Sequence, residues 1–414
     1  LQLIKFRMLK TKLFLLASGI IGTLLAGTCL DLPAQRLGSH SSLEFKQNER
    51  ILFLGSSLFE NELEKGYLEF AISSRWPDKD LTFRNLGWVG DNVFAEARST
   101  FTTPPSPYQQ LFQQIRSTTP NHVLVAYGGI ESQKGEEGLG EFVKGLEIII
   151  DSIDALGAQT ILLSTIPVKL AGNPENTATQ NKNLKLYADA ISTVASKRKK
   201  RYVDLYTPIA KNTDDIFLDN GIHLNDKGYY YLAQVLEESF GWPPRESKVT
   251  INASKSTASG PAKIISDKEG KIAFSVEEPI LPFPVTDSGK PAAEVSVSVQ
   301  VNGLKDGFYT LTENGRQLVT ASGADWANGI VLDHGISQEQ ATQICGYIVK
   351  KNELFFQQYR PMNRTYILGF RAYEQGRHQQ GLKDLDFIIA WLEGQIKLHR
   401  QPVVKRYELS PLKE

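Results

Sequence analysis

The sequence predicts an α/β protein built on a three-layer, doubly wound parallel sheet, with a smaller α+β extension at its C-terminal end. Three observations predict it. Between residues 50 and 242, short apolar runs alternate with amphipathic stretches of helical spacing, the alternation that a parallel sheet with crossover helices demands. After Trp242-Pro243-Pro244 the pattern changes to polar residues and then to strict apolar/polar alternation. A length of 414 residues suits two domains and a leader, and 41% hydrophobic residues suffice for a sizeable core.

The chain opens with a targeting signal. Met8 precedes Lys10 and Lys12, and the stretch Leu13 to Leu25 carries no charge. This is a basic segment followed by an apolar one of signal-peptide length, too short for a membrane span. Met8 makes the tidier start, and residues 1–34 read as a signal peptide cleaved after Ala34. The mature protein is then expected in the periplasm or outside the cell, without an integral membrane span. Cys29 raises a lipoprotein reading, but Leu25-Ala26-Gly27-Thr28-Cys29 puts one residue too many before the cysteine. Cys345 falls in an expected helix, so no disulfide is expected.

The sheet elements follow in order over residues 43–242. Ile51-Leu52-Phe53-Leu54, ending at Gly55, is the first strand, and Leu81 to Asn85 is the second. His122 to Tyr127 is the third, Gln159 to Thr165 the fourth, and Tyr202 to Leu205 the fifth. Phe142, Leu146, Ile149-Ile150 and Ile153 repeat at helical spacing, as do Leu184, Tyr187-Ala188, Ile191 and Val194. These stripes are core packing. Residues 243–293, rich in Ser, Thr, Lys and Gly with prolines at 279, 282 and 284, read as an irregular linker. Residues 294–410 read as a β-hairpin plus helices. Phe308 to Thr312 meets Gln317 to Thr320 across Asn314-Gly315, the strongest short hairpin signal. Helices are expected from Ser337 to Tyr359 and from Asp384 to His399.

Lysine and arginine total 46, as do aspartate and glutamate, so net charge offers no reason to expect a nucleic-acid partner. The basic run Lys197 to Arg201 closes a helix, where the dipole favours it. His122, His334 and His378 lack metal-ligand spacing, so neither a metal nor another cofactor is expected.

The chemistry sits where strands end, because the crevice of such a sheet opens there. The first strand delivers Gly55-Ser56-Ser57 with Glu60 beyond, the second Gly87-Trp88-Val89-Gly90-Asp91-Asn92, and the third Gly128-Gly129-Ile130-Glu131. A loop after the fifth delivers Asp219-Asn220-Gly221-Ile222-His223. A serine hydroxyl needs an adjacent base that a third group orients. A Gly-Ser-Ser turn or a lone histidine before a helix is by itself usually structural; their joint order at successive strand ends makes Ser57 and His223 a candidate reactive pair. Glu60 and Glu131 are weaker acid/base candidates, since glutamates early in helices are commonly caps. Trp88, Tyr127 and Tyr366 fit a sugar-binding cleft, although aromatics at strand ends are more often packing.

These blocks resemble the SGNH or GDSL esterases, whose fold is flavodoxin-like. Gly55-Ser56-Ser57 is similar to the family's Gly-Asp-Ser block with Ser56 in place of aspartate, and Asn85 to Asp91 is similar to the second block. Gly221-Ile222-His223-Leu224-Asn225 is similar to the last. Lys351 to Phe356, Arg360-Pro361, Asn363, Thr365-Tyr366 and Glu374-Gln375-Gly376 resemble an extension found in one exported bacterial branch. The resemblance implies that Ser57 is the nucleophile and His223 the base, with the N–H groups of Ser57 and Gly90 holding the oxyanion. Where the family places an oxyanion asparagine, this chain has Ile130, which cannot donate; Asn92 is a possible substitute. Asp219 or Asn220 orients His223, and Trp88, Gly129 and Glu131 flank the substrate.

The expected activity is therefore hydrolysis of a small-molecule or carbohydrate ester, most simply an acetyl group. Transfer of the acyl group to a second sugar would use the same residues. The alternative is an SGNH-fold binding or scaffold protein that has lost efficient catalysis, for which Ile130 and Ser56 argue. The mixed aromatic and charged stretch Lys351 to Tyr366 predicts that the tail contacts the catalytic domain.

Overall fold

The computed structural model describes residues 42–98, 105–213, 215–268, 270–285, 297–362, 371–374 and 378–412. The expected signal peptide with Cys29, and Asn363, Thr365, Tyr366, Gln375 and Gly376, lie outside them.

Five parallel strands, β1 (Arg50–Gly55), β2 (Thr82–Asn85), β3 (His122–Ala126), β4 (Gln159–Leu163) and β5 (Arg201–Val203), form a sheet of order β2-β1-β3-β4-β5. That is the flavodoxin-like doubly wound order. Alternation along each strand feeds two cores. Ile51, Phe53 and Leu124 face one layer, while Leu52, Leu54, Val123 and Val125 face the other, all essentially water-free. The layers are filled by α1 (Ser57–Glu62), α2 (Tyr67–Ser73), α3 (Pro107–Thr118), α4 (Leu139–Asp154), α5 (Pro174–Arg198), α6 (Tyr206–Lys211) and α7 (Asp226–Ser239). The expected stripes of α4 and α5 are the buried ones.

The linker expected over residues 243–293 is corrected by the structure. β6 (Ser247–Asn252), β7 (Thr257–Ser259), β8 (Ala262–Lys268) and β9 (Lys271–Val276) occupy its first part. With β10 (Val297–Asn302), β11 (Phe308–Glu313), β12 (Arg316–Ser322), β13 (Ile330–Leu332) and β14 (Lys405–Pro411) they make two sheets, of order β13-β10-β6-β7 and β12-β11-β14-β9-β8. The sheets share a core of Val249, Ile251, Phe274, Val299, Leu311, Trp326 and Leu409. β6, β10, β11 and β14 bury only alternate side chains, whereas β9 buries Ile272, Ala273 and Phe274 in a row; the exposed Ser, Thr and Lys around them masked the pattern. The Asn314-Gly315 hairpin is present, both residues having positive φ (48° and 86°), as a type I′ turn requires. A short helix, α8 (Gly323–Asn328), precedes β13.

Two long helices, α9 (Ile336–Tyr359) and α10 (His378–His399), lie between β13 and β14. The second begins six residues ahead of the expected Asp384. They pack on each other, and α9 also packs on α2 and on β2 at the edge of the parallel sheet. Ala341, Ile344 and Ile348 join one core layer; Phe355 and Tyr359 join the other. An edge strand leaves backbone groups without partners. Here Lys351, almost fully buried, donates to Phe83 O (3.2 Å) and pairs with Glu69 Oε2 at 2.9 Å. Burial pushes the Glu69 carboxyl up and the Lys351 ammonium down, and each partner opposes the other's shift. Among the described residues, no helix is long and apolar enough to cross a membrane.

Candidate active site

Ser57 is the first residue of α1, directly beyond the carboxyl end of β1. Gly55 is required there: a Cβ would lie 2.4 Å from Ala126 O. Gly87 is required on the neighbouring turn, where a Cβ would come within 2.3 Å of Glu60 N. The second-block loop therefore lies directly on the helix that Ser57 opens. Gly90 has a φ of +78° and open space on its Cβ side. Among the described residues, neither Ser57 N–H nor Gly90 N–H donates to a protein acceptor.

His223 is held by a tight hairpin. Phe217 and Leu224 form a bridge, Leu218 N–H donates to His223 O (2.8 Å), and Gly221 N–H donates to Leu218 O (2.8 Å). Gly221 (φ +65°) presses on Lys169, whose N–H donates to Gly221 O at 2.7 Å. Asn225 caps α7 by accepting from Gly228 N–H (3.0 Å). Tyr229, one turn into that helix, donates to Leu58 O at 2.8 Å. This bond ties the histidine's helix to the residue after Ser57. Among the described residues, no hydrogen bond joins Ser57 to His223. Catalytic bonds of this kind are often long before substrate binds.

The structure brings Asn220, not Asp219, to the imidazole. Asn220 Oδ1 accepts from Ile222 N–H (2.9 Å) and His223 N–H (3.1 Å), leaving Nδ2 3.3 Å from His223 Nδ1. Two backbone donors on one amide atom make that atom the oxygen. The group facing Nδ1 is thus a donor, whereas the sequence leads one to expect the amide oxygen to accept there. Asp219 is exposed and makes no hydrogen bond to His223 among the described residues.

Four further expectations change. Asn92 is engaged in its own turn: its Nδ2 donates to Glu96 Oε2 (2.5 Å), and its Oδ1 accepts from Phe94 N–H and Glu96 N–H. Trp88 is no sugar platform, being buried between two guanidinium groups, Arg360 at 4.2 Å and Arg98 at 4.9 Å from the ring centre. Glu131 is occupied, because Oε1 accepts from Val93 N–H and Oε2 from Gly128 N–H, both at 2.9 Å. It staples the second and third blocks together, and burial pushes its carboxyl up. Glu60 likewise accepts from Val89 N–H (2.5 Å) and from Arg360 (2.7 Å). Gly129 is exposed and Ile130 half-buried.

Beneath the loop lies an ion pair that sequence reasoning missed. Arg98, wholly buried, donates to Asp91 Oδ2 (2.8 Å) and to Leu86 O (2.8 Å), and Tyr127 donates to the same carboxylate oxygen (3.1 Å). Burial pushes the Asp91 carboxyl up and Arg98 opposes that shift. Two cavities lie away from this chemistry. One of about 240 Å³ is lined by Arg75, Pro243, Glu278 and Pro282, and one of about 420 Å³ by Pro77, Lys397 and Arg400. Ser57 and His223 are instead half-buried, and Gly90 and Gly129 are exposed. Among the described residues, no group of three ligating side chains is placed to hold a metal.

The sequence model of the GDSL-like lipase/acylhydrolase family matches residues 53–231, which span all four blocks. No curated protein matches the chain. Among solved structures, the chain is similar to a gut microbial diltiazem-metabolizing enzyme. The identity is 17%, over 89% of this chain and 99% of that one, with a TM-score of 0.71, a likeness of fold. A catalytic mutant of the acetylxylan esterase Axe2 from Geobacillus stearothermophilus is 14% identical over 49% of this chain and 98% of its own, with a TM-score of 0.39. An alpha/beta hydrolase from the metagenome of Lake Arreo, Spain, is 16% identical over 48% and 97%, with a TM-score of 0.38.

Proposed function

Residues 53–231 belong to the GDSL-like lipase/acylhydrolase family, and from that premise we propose that this protein is a slow serine ester hydrolase acting on a small acyl group of an exported, hydrophilic substrate. Membership supports ester hydrolysis in general; the low rate and the small acyl group are read from this chain's own site. The observation that carries the reading is the pair of undonated N–H groups, Ser57 and Gly90, in adjoining turns whose glycines at 55 and 87 allow no side chain. Such paired donors are what a developing oxyanion needs.

In the proposed reaction Ser57 Oγ attacks the acyl carbonyl and its proton passes to His223 Nε2. The tetrahedral oxyanion rests on the two N–H groups. Collapse expels the alcohol, which takes the proton back from His223. Water, activated by the same imidazole, then releases the acid. The exposure of Gly90 and Gly129 at two of the strand ends supports an acetyl group on a carbohydrate over a long acyl chain. Acyl transfer to a second hydroxyl would follow the same path.

Two features of the site support a low rate. Ile130 supplies no oxyanion donor, a loss of about 10²–10³ in rate. Asn220 Nδ2 favours the histidine tautomer with its proton on Nε2, the wrong one for a base. The same contact favours a second reading, a binding protein on a hydrolase scaffold. Turnover of p-nitrophenyl acetate and of acetylated xylo-oligosaccharides separates the two. A slow esterase releases acetate, prefers acetyl to butyryl, and stops in Ser57→Ala and His223→Ala. Folded protein that binds the oligosaccharide equally well with and without Ser57 and releases no acetate is the binding protein.

A further inference from the structure

The last turn of α9 ends against the loop that carries Gly90. Tyr359, buried, donates to Gly87 O at 2.8 Å, while its own carbonyl accepts from Gln114 (3.1 Å). Arg360, the residue that closes the helix, stacks on Trp88 at 4.2 Å and donates to Glu60 Oε2 at 2.7 Å. The same oxygen accepts from Val89 N–H. Thus Gly87, Trp88 and Val89, the three residues before Gly90, are each held by this helix end or through its partner Glu60. Glu60 lies on α1 one turn beyond Ser57, so Arg360 also links the nucleophile's helix to the loop. Gly90 has no Cβ and nothing near where one would be; the direction of its N–H is inherited from its neighbours.

We propose that Tyr359 and Arg360 are positioning residues that aim the Gly90 N–H, so that the C-terminal extension completes the catalytic site of the N-terminal domain. Covering the sheet edge does not explain them. Lys351 performs that task about two turns earlier on α9, and Tyr359 and Arg360 lie past β2. The kinetic consequence rests on the esterase reading above; the structural one does not.

The test uses the full chain with Arg360→Ala, Arg360→Lys and Tyr359→Phe. Hydrogen exchange is followed over residues 87–92, beside kcat and KM on p-nitrophenyl acetate and the melting temperature. Arg360→Ala is expected to speed exchange at Val89 and to lower kcat about tenfold with KM nearly unchanged, since small misplacements of a catalytic donor cost rate rather than binding. Arg360→Lys, which reaches Glu60 but cannot stack on Trp88 in the same way, should recover part of the loss. Tyr359→Phe should act in the same direction. Unchanged exchange over 87–92 overturns the proposal, as does faster exchange spread evenly through α9 and α10. If the wild-type protein shows no turnover, the esterase reading falls, and the exchange result alone decides whether the helix end holds the loop.

Discussion

On the proposed mechanism, replacing Asn220 by aspartate should raise the rate of ester hydrolysis. In the structure Oδ1 of Asn220 already accepts from Ile222 and His223 N–H, and a carboxylate keeps both bonds. The other atom changes from donor to acceptor at 3.3 Å from Nδ1. The imidazole then carries its proton on Nδ1, frees Nε2 to receive the proton of Ser57, and gains a counter-charge once protonated. In a complete triad the reverse change, aspartate to asparagine, costs about 10⁴ in kcat. The contact here is longer than the 2.7–2.9 Å of a good charge-assisted bond, so part of that factor is expected: about 10², or about 2.7 kcal/mol off the barrier. The carboxylate also favours the imidazolium, so the acidic limb of the pH–rate profile should move upward. Initial rates on p-nitrophenyl acetate between pH 5 and 9 measure both effects. Asn220→Asp no faster than wild type, together with loss of activity in Asp219→Ala, would refute the reasoning and make Asp219 the orienting group.

Other perturbations test the same geometry. Ile130→Asn should raise kcat by about tenfold or more, approaching the value of one oxyanion donor, with little change in KM. Gly221→Ala places a Cβ 1.9 Å from Lys169 O at a positive φ; it should cost at least about 2 kcal/mol in urea unfolding and abolish turnover by displacing His223. Lys351→Met leaves Glu69 buried without its partner and should cost about 3–5 kcal/mol, much of it recovered by adding Glu69→Gln. Burial raises the Glu62 carboxyl well above its usual range, and among the described residues its Oε2 has no partner. The folded state therefore holds that proton more tightly than the unfolded chain, and stability falls as pH rises from the ordinary glutamate range toward the folded value. Glu62→Gln should flatten that part of a urea-midpoint profile from pH 5 to 8 and raise the midpoint at its upper end.

The parallel sheet was legible because strands buried on both faces read as unbroken apolar runs, as in Ile51 to Leu54 and His122 to Ala126. β6 was hidden because only alternate residues, Val249 and Ile251, are buried, and β9 because its buried run, Ile272 to Phe274, is only three residues long. Their exposed lysines and serines gave the composition of a linker. At the site, the order of the four blocks pointed to Ser57, Gly90 and His223. The choice between Asp219 and Asn220 was not legible, since it depends on a turn closed by the Phe217–Leu224 bridge and by Gly221. The local turn that the Asn92 amide closes with Phe94 and Glu96 left no signal in the sequence. Trp88 looked like a platform because the guanidiniums that enclose it come from Arg98 and from Arg360, the latter near the opposite end of the chain. Long-range partners of this kind leave no local periodicity to read.

The central claim is that Ser57 is an activated nucleophile. Intact-mass analysis after treatment with a fluorophosphonate, on the wild type and on Ser57→Ala, tests it most directly. One adduct on the wild type and none on the folded mutant is the predicted result, with faster labelling in Asn220→Asp. Folded wild-type protein that stays unlabelled, or labelling that persists in Ser57→Ala, would contradict it.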